Sequence, residues 1–266
     1  MAATFDDVAD TYDAVEVEFF GPIAAGLVAE LDPQPGERAL DVGCGRGAAL
    51  FPLVEAVGPA GRVTGIDLSP AMVELTAADI AAAGIGDIAS VAVGDAQHPD
   101  VPAGSVDVLA SSLVLFFVPD PSATVRAWRA PLVDGGRLGI ATFGPYNEEW
   151  VEVDRVFSPY LPAAMADPRT RVGGPFATDE GMERLVADAG FRDVRTVTWT
   201  LSVRFRDADH WEAWTWSTGQ RRMWEAVPLE ERDAVRAQAA DRLEVCRDEE
   251  GRIGFEQGVR YTLATR

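Results

Sequence analysis

The feature that most restricts how this chain can fold is an alternation in its first half. Short apolar runs at residues 38–42, 62–67, 88–93, 106–111 and 137–143 are spaced by turns and amphipathic segments. Runs of this length and composition read as strands covered on both faces, and the alternation is that of βα units around a parallel sheet. Gly43, Gly45 and Gly47 form a turn after the first run, followed by a helix to about residue 57. Ser69 before Pro70 is a helix start, with a capping oxygen and a proline at the first helical position; that helix ends at Gly84. A further helix is expected over 121–130. Beyond residue 143 the rhythm breaks, and residues 144–176 mix aromatics, prolines and charges. A helix over 178–189, a long strand over 194–205, helices over 207–222 and 229–247, and a last strand over 254–265 complete the pattern. The expectation is α/β: a seven-stranded, mostly parallel sheet with helices on both faces and a cap from insertions around strand six. That cap would stand near the carboxyl ends of the strands, where open α/β sheets bind ligands.

Composition narrows the setting. At 266 residues and 47% hydrophobic content the chain can bury a large core. No stretch approaches the roughly 18 apolar residues of a membrane span, and residues 1–14 are acidic without the apolar run of a leader. Cys44 and Cys246 make no metal or disulfide pattern, and no metal is expected from the spacing of His, Asp, Glu and Cys. This is the sequence of a soluble cytoplasmic protein. A net charge of −20 repels phosphate backbones and anionic lipid, so neither nucleic acid nor membrane is an expected partner. All 23 basic residues are Arg, which reads as codon bias of a GC-rich genome.

The glycine turn is ambiguous by itself. Glycines there let backbone approach a nucleotide-like ligand closely. Gly43, Gly45 and Ala48 fit the dinucleotide spacing G-x-G-x-x-G/A, with Asp67 placed as a ribose-binding acid. Yet the run is preceded by Asp41, giving acid-x-G-x-G-x-G through Asp41, Gly43, Cys44, Gly45 and Gly47. An acid there suits an ammonium group and would repel a pyrophosphate; it could equally cap the loop's own amides.

With Gly65-Ile66-Asp67-Leu68-Ser69, Gly94-Asp95-Ala96, 106–111, 132–138 and 180–191 following in order, residues 36–200 resemble the class I S-adenosylmethionine (SAM) dependent methyltransferase family, with its Rossmann-like fold. The resemblance implies SAM as cofactor. It implies that Asp41 meets the ammonium end, Asp67 both ribose hydroxyls, Leu68 and Met72 the adenine faces, and Asp95, with Gly94 and Ala96, the adenine amino group. Ser111 ends the strand beside the methionine moiety. The opening segment, Phe5 to Asp13, resembles the family's closing helix, with Tyr12 at the methionine end. Phe5, Val8 and Tyr12 could equally staple that helix to the core. The chain then divides into an N-terminal helical lid (1–35), a SAM-binding core (36–143), a cap insertion (144–177), a core helix with strand six (178–206), a helical cap insertion (207–250) and a final core strand (251–266).

The acceptor half is less legible. Methyl transfer needs alignment, exclusion of water and, for some acceptors, a base. His98 lies in a polar loop. His210 shares a helix face with Trp214, Ser217 and Arg221, and five of the seven tryptophans lie between Trp199 and Trp224. His210 is the candidate proton acceptor or orienter, with Tyr146, Trp150 and Trp214 as candidate acceptor contacts and Asn147 nearby. Alternatively the tryptophans pack the cap and His210 is a satisfied structural residue. After strand four, Phe116 and Phe117 suggest an apolar wall. A small, hydrophobic or aromatic methyl acceptor in specialised metabolism is the leading expectation. A SAM-binding cyclase or rearrangement enzyme and a non-catalytic SAM-binding partner are the alternatives. Oligomeric state is left open.

Overall fold

The computed structural model describes residues 5–12, 15–145, 147–168 and 173–266. The sheet comprises β1 (Arg38–Val42), β2 (Arg62–Asp67), β3 (Ala89–Val93), β4 (Val106–Ser112), β5 (Leu132–Phe143), β6 (Arg192–Phe205) and β7 (Ile253–Thr265), in the order β3-β2-β1-β4-β5-β7-β6. β7 runs antiparallel to β5 and β6, and the other pairs are parallel. The fold is the expected Rossmann-like one, with the carboxyl ends of β1, β2, β4 and β5 at one edge.

The helices follow their apolar stripes. α1 (Phe20–Leu31) buries Ile23, Ala24, Leu27 and Leu31 and packs on β4 and β5. α2 (Leu50–Val57) lies on the same face, and α3 (Pro70–Ala82) begins where Ser69 Oγ accepts the Met72 amide at 3.1 Å. α4 (Pro121–Trp128) is capped by Asp120. Its Val125 and Trp128, with Met182, Leu185 and Val186 of α6 (Asp179–Asp188), fill the opposite face. The region expected as a lid, residues 1–35, therefore divides. α1 is core, and residues 5–12 lie over the α3 N-terminus, where Val8 and Ala9 bury Met72.

The cap grows from the sheet. β5 ends its pairing at Phe143↔Val259, while β6 and β7 pair onward to Phe205↔Ile253. At the strand rise per residue this ribbon stands about 20 Å beyond β5. Trp150 stacks on Phe255 (3.8 Å between centroids) and Phe205 (5.8 Å) of this ribbon. Around this stack gather α5 (Glu148–Asp154), α7 (Ala208–Trp216), α8 (Arg221–Ala226) and α9 (Arg232–Leu243), with Phe157, Trp211 and Trp224 inside.

Local readings shift in three places. The helix expected over 207–222 is two, because the Ser217 and Thr218 hydroxyls return to the carbonyls of Trp214 and Thr215 and break the ladder before α8. The helix expected over 229–247 is α9 with a 3₁₀ turn at each end. Within residues 144–176, where the sequence shows no regular rhythm, Glu148 and Glu149 form the acidic first turn of α5, capped by Asn147. No helix among the described residues is long and apolar enough to cross a membrane.

Candidate active site

The carboxyl edge is organised around one buried acid. Asp41 sits in central strand β1 at 1% exposure, and its Oδ2 has no hydrogen-bond partner among the described residues. Burial, then the charge of Asp67, pushes its carboxyl up to about 7, against the opposing Leu50 amide at the start of α2. Both sequence readings of Asp41 thus have a physical basis: it meets the helix amide and keeps an oxygen free. A cation such as an ammonium group is the complement this oxygen lacks.

The loop after β1 is held from beneath. Gly43 and Cys44 donate to the Ile66 carbonyl at 2.8 and 3.0 Å, and Gly45 donates to Asp67 Oδ2 at 2.8 Å. Gly43 has φ +74, and a Cβ there would fall 2.3 Å from Val114. Gly45 has φ +48 with open space where its Cβ would lie, so the loop leaves room above it. The Cys44 side chain is buried against Gly65. Asp67 also accepts from the Ser69 amide at 2.9 Å, and burial raises its carboxyl despite these amides. Leu68 is 49% exposed, whereas Met72 is buried under residues 8 and 9 rather than open to the cleft. Asp95 accepts from Gln97, and the Ala96 carbonyl beside Gly94 accepts from the Trp128 indole at 2.7 Å, which ties α4 to this corner. His98 is exposed. Ser111 is buried and its hydroxyl donates to the Val42 carbonyl at 3.1 Å. Asp107 of the same strand lies at the far end, where Arg38 grips both its oxygens at 3.0 Å.

Residues 5–12 close over this region. Asp6 accepts from Ser69 Oγ at 2.5 Å and the Ala71 amide at 3.3 Å, and Arg46 reaches the Ala9 carbonyl at 3.2 Å. Aromatic rings then form a closed circuit: Phe5–Tyr12–Phe20–Phe19–Phe143–Phe116–Phe117 and back to Phe5, with adjacent centroids 4.6–6.3 Å apart. It joins the N-terminal segment, the turn after β4 and the end of β5. The turn after β4 depends on Leu113, a non-glycine residue at φ +59, whose amide bonds the Ala141 carbonyl.

The cap candidates separate. Trp150 is cap interior, stacked on the β6–β7 ribbon, and is not brought to the aromatic circuit. Trp214 is brought there, with its ring 5.2 Å from Phe19. Tyr146 lies outside the described residues. His210 is buried and its Nδ1 accepts the Arg206 amide at 3.1 Å, which assigns the proton to Nε2. Burial, then Arg206, holds its pKa below the usual range, outweighing Asp207, Glu16 and the Val15 backbone. The expected role of His210 is proton acceptor or orienter; in this arrangement its Nδ1 is held by the Arg206 amide and the Val15 backbone also meets the ring. Sequence reading missed Asp6, Phe19, Phe20, Leu113 and Phe143. A Ser-Ser-Leu-Val run carries no signal of a left-handed turn, and the phenylalanines meet only in three dimensions. Among the described residues no cluster of His, Cys, Asp and Glu could hold a metal ion.

Residues 40–140 match a family described as a methyltransferase domain. Over 245 residues the chain is 40% identical to nocamycin O-methyltransferase of Saccharothrix syringae, spanning 88% of this chain and 87% of that protein. It is 37% identical over 167 residues to aklanonic acid methyltransferase DauC of a Streptomyces strain, 63% of this chain and 76% of that one. The fold is shared with phosphoethanolamine N-methyltransferase 2 of Haemonchus contortus, solved with SAM, at a TM-score of 0.56 and 16% identity over 91% of this chain and 52% of that one. The chain belongs to the class I SAM-dependent methyltransferases. Its cofactor is SAM and its acceptor is a small molecule.

Proposed function

We propose that the protein methylates an oxygen of a hydrophobic or aromatic small molecule, in specialised metabolism and in the cytoplasm. The observation that carries this reading is the aromatic circuit, which joins the N-terminal segment to the turn after β4 and the end of β5, at the same edge of the sheet as the loop after β1. Such walls bind flat conjugated skeletons through ring stacking and exclude water. The two related proteins support it, one named as an O-methyltransferase of nocamycin and the other as a methyltransferase of aklanonic acid.

Bound SAM would supply a methyl carbon on positive sulfur to an acceptor oxygen that has already given its proton to solvent, with the carbon–sulfur electron pair staying on sulfur and S-adenosylhomocysteine leaving. The chain's residues hold and align. Asp41 takes the ammonium group on Oδ2. Asp67, its two oxygens already oriented by Gly45 and Ser69, takes ribose hydroxyls with its remaining lone pairs. Leu68 covers one adenine face and Asp95, between Gly94 and Ala96, meets the amino group. Gly43, Cys44 and Gly45 present backbone, Ser111 fixes that backbone from below, and Met72 anchors the segment carrying Tyr12. The surface charge of −20 supports a partner other than nucleic acid or membrane.

The test is to incubate the protein with SAM and polycyclic phenols and carboxylic acids, and to measure S-adenosylhomocysteine release together with acceptor mass. A mass gain of one methyl at oxygen is expected. A product of unchanged composition would favour cyclisation or rearrangement. Thermal stabilisation by NAD and none by S-adenosylhomocysteine would overturn the reading of the site.

A further inference from the structure

The turn that carries Asp95, residues 94–100, is neither helix nor strand, so its shape rests on bonds to its surroundings. The Gly94 amide donates to the carbonyl of Asp67 at 2.9 Å, and the His98 amide donates to that of Asp95 at 3.0 Å. Asp95 Oδ1 accepts the Gln97 amide at 2.9 Å, and the Gln97 side-chain nitrogen lies 3.3 Å from both carboxylate oxygens. A further tether comes from a different element. Trp128, the last residue of α4, is fully buried among Leu40, Val106 and Leu109, and its Nε1 donates to the Ala96 carbonyl at 2.7 Å. A phenylalanine there would also fill the core; the indole adds a directed bond at the edge of its ring. The peptide that follows Asp95 is thereby held from below, while Gln97 holds the carboxylate itself.

We propose that Trp128 and Gln97 are positioning residues that make the cofactor site selective for an amino-bearing base, by holding the Asp95 carboxylate in one place. This rests on the reading above, in which Asp95 meets the adenine amino group. A carboxylate has about four lone-pair sites, so Asp95 keeps acceptors for a ligand after Gln97 is bound. In adenine one ring carbon carries an amino donor. In hypoxanthine, the deaminated base, that carbon carries an oxygen, and the donor lies on the neighbouring ring nitrogen. A carboxylate on a loose turn could shift and follow that donor. Held by Gln97 and by the Trp128–Ala96 bond, it faces the oxygen instead, and acceptor against acceptor is unfavourable. Selectivity then comes from rigidity, with a mismatch built against the wrong base.

The experiment titrates the full chain by calorimetry with S-adenosylhomocysteine and with S-inosylhomocysteine, its hypoxanthine counterpart. The wild type should prefer the adenine compound by about tenfold or more, the scale of one charged hydrogen bond, and Asp95→Asn should remove most of that preference. Trp128→Phe keeps a ring in the core and loses the bond to Ala96; Gln97→Met lies on the partly exposed turn, away from the core. Each should weaken S-adenosylhomocysteine about fivefold and leave S-inosylhomocysteine unchanged or tighter. The Trp128 indole signal in ¹⁵N NMR, assigned through its contact with Ala96, should exchange slowly with solvent before any ligand is added, as a preformed buried bond requires. General loosening would cost both compounds alike, so an unchanged preference in either variant would overturn the proposal. So would fast exchange of that indole in the ligand-free protein. A wild type with no preference, or a preference that survives Asp95→Asn, would sink the reading of Asp95 instead, so the two failures are distinguishable.

Discussion

At Asp41 the local rules and the fold disagree. A carboxylate in the central strand of a parallel sheet loses its water, and here it recovers one backbone amide and leaves Oδ2 bare. Such a group lowers the stability of the protein without its cofactor and raises affinity for a cation. The folded protein holds this proton up to about pH 7, whereas an unperturbed Asp loses it near 3.8. Cofactor-free stability therefore falls as pH rises between those values and levels off above about 7. Asp41→Asn should raise the unfolding free energy at pH 8 by on the order of 1–3 kcal/mol, and leave it unchanged at pH 4. The same substitution should weaken S-adenosylhomocysteine at least tenfold by calorimetry, as expected for losing a buried charge partner. In the wild type, affinity should fall as pH drops below about 7, where protonation removes the charge; a flat profile would mean that Asp41 does not meet the ammonium group.

Among the elements, one polar side chain can be tested at the N-terminal segment, Asp6, and one at the end of β5, Arg260. Asp6 docks the segment on Ser69 and Ala71, and it also adds negative charge near Asp67. Asp6→Ala should loosen the segment and speed S-adenosylhomocysteine release about tenfold in stopped flow, roughly the worth of one charge-assisted hydrogen bond. Arg260 of β7 is buried, pairs with Asp179, and donates to the carbonyls of Phe143, Phe176 and Ala177 at 2.7, 3.0 and 3.1 Å. It thereby fixes the β5 end that carries Phe143 into the aromatic circuit. Arg260→Met should cost about 2 kcal/mol in urea unfolding, the scale of several lost buried hydrogen bonds, and should raise the acceptor KM with SAM affinity unchanged. Loss of SAM affinity of the same size would show that Arg260 supports the whole edge rather than the acceptor wall.

For the molecule as a whole, the cap is a second small core mounted on the β6–β7 ribbon. Trp150, Phe205 and Phe255 stack on the ribbon, and Trp211 and Trp224 close the interior, where the Trp224 indole donates to Thr215 at 2.8 Å. Trp224→Ala should therefore destabilise by about 3–5 kcal/mol, as large-to-small changes in cores do. If the cap unfolds first, the loss should be confined to the cap's amides in hydrogen exchange, with SAM binding retained. Uniform loss across β1 to β5 would show that cap and sheet form one cooperative unit.

The sequence alone determined the succession of strands and helices in the cofactor half, its glycine turn and its three acids, because those features are local: a turn needs its glycines where φ is positive, and a strand-end acid is fixed by the strand before it. Asp41, Asp67 and Asp95 were legible for that reason. Boundaries moved where side chains compete with the backbone, as Ser217 and Thr218 do between α7 and α8. The acceptor half was decided only by tertiary structure. Phe5, Phe19, Phe116 and Phe143 come from three distant segments, and nothing in their spacing announces that their rings meet. Trp150 and Trp214 look alike in the sequence, yet one is packing and the other borders the circuit. The ionisable ring of His210 suggested a base or an orienter; that one backbone amide, placed by the end of β6, occupies its Nδ1 is visible only in the fold.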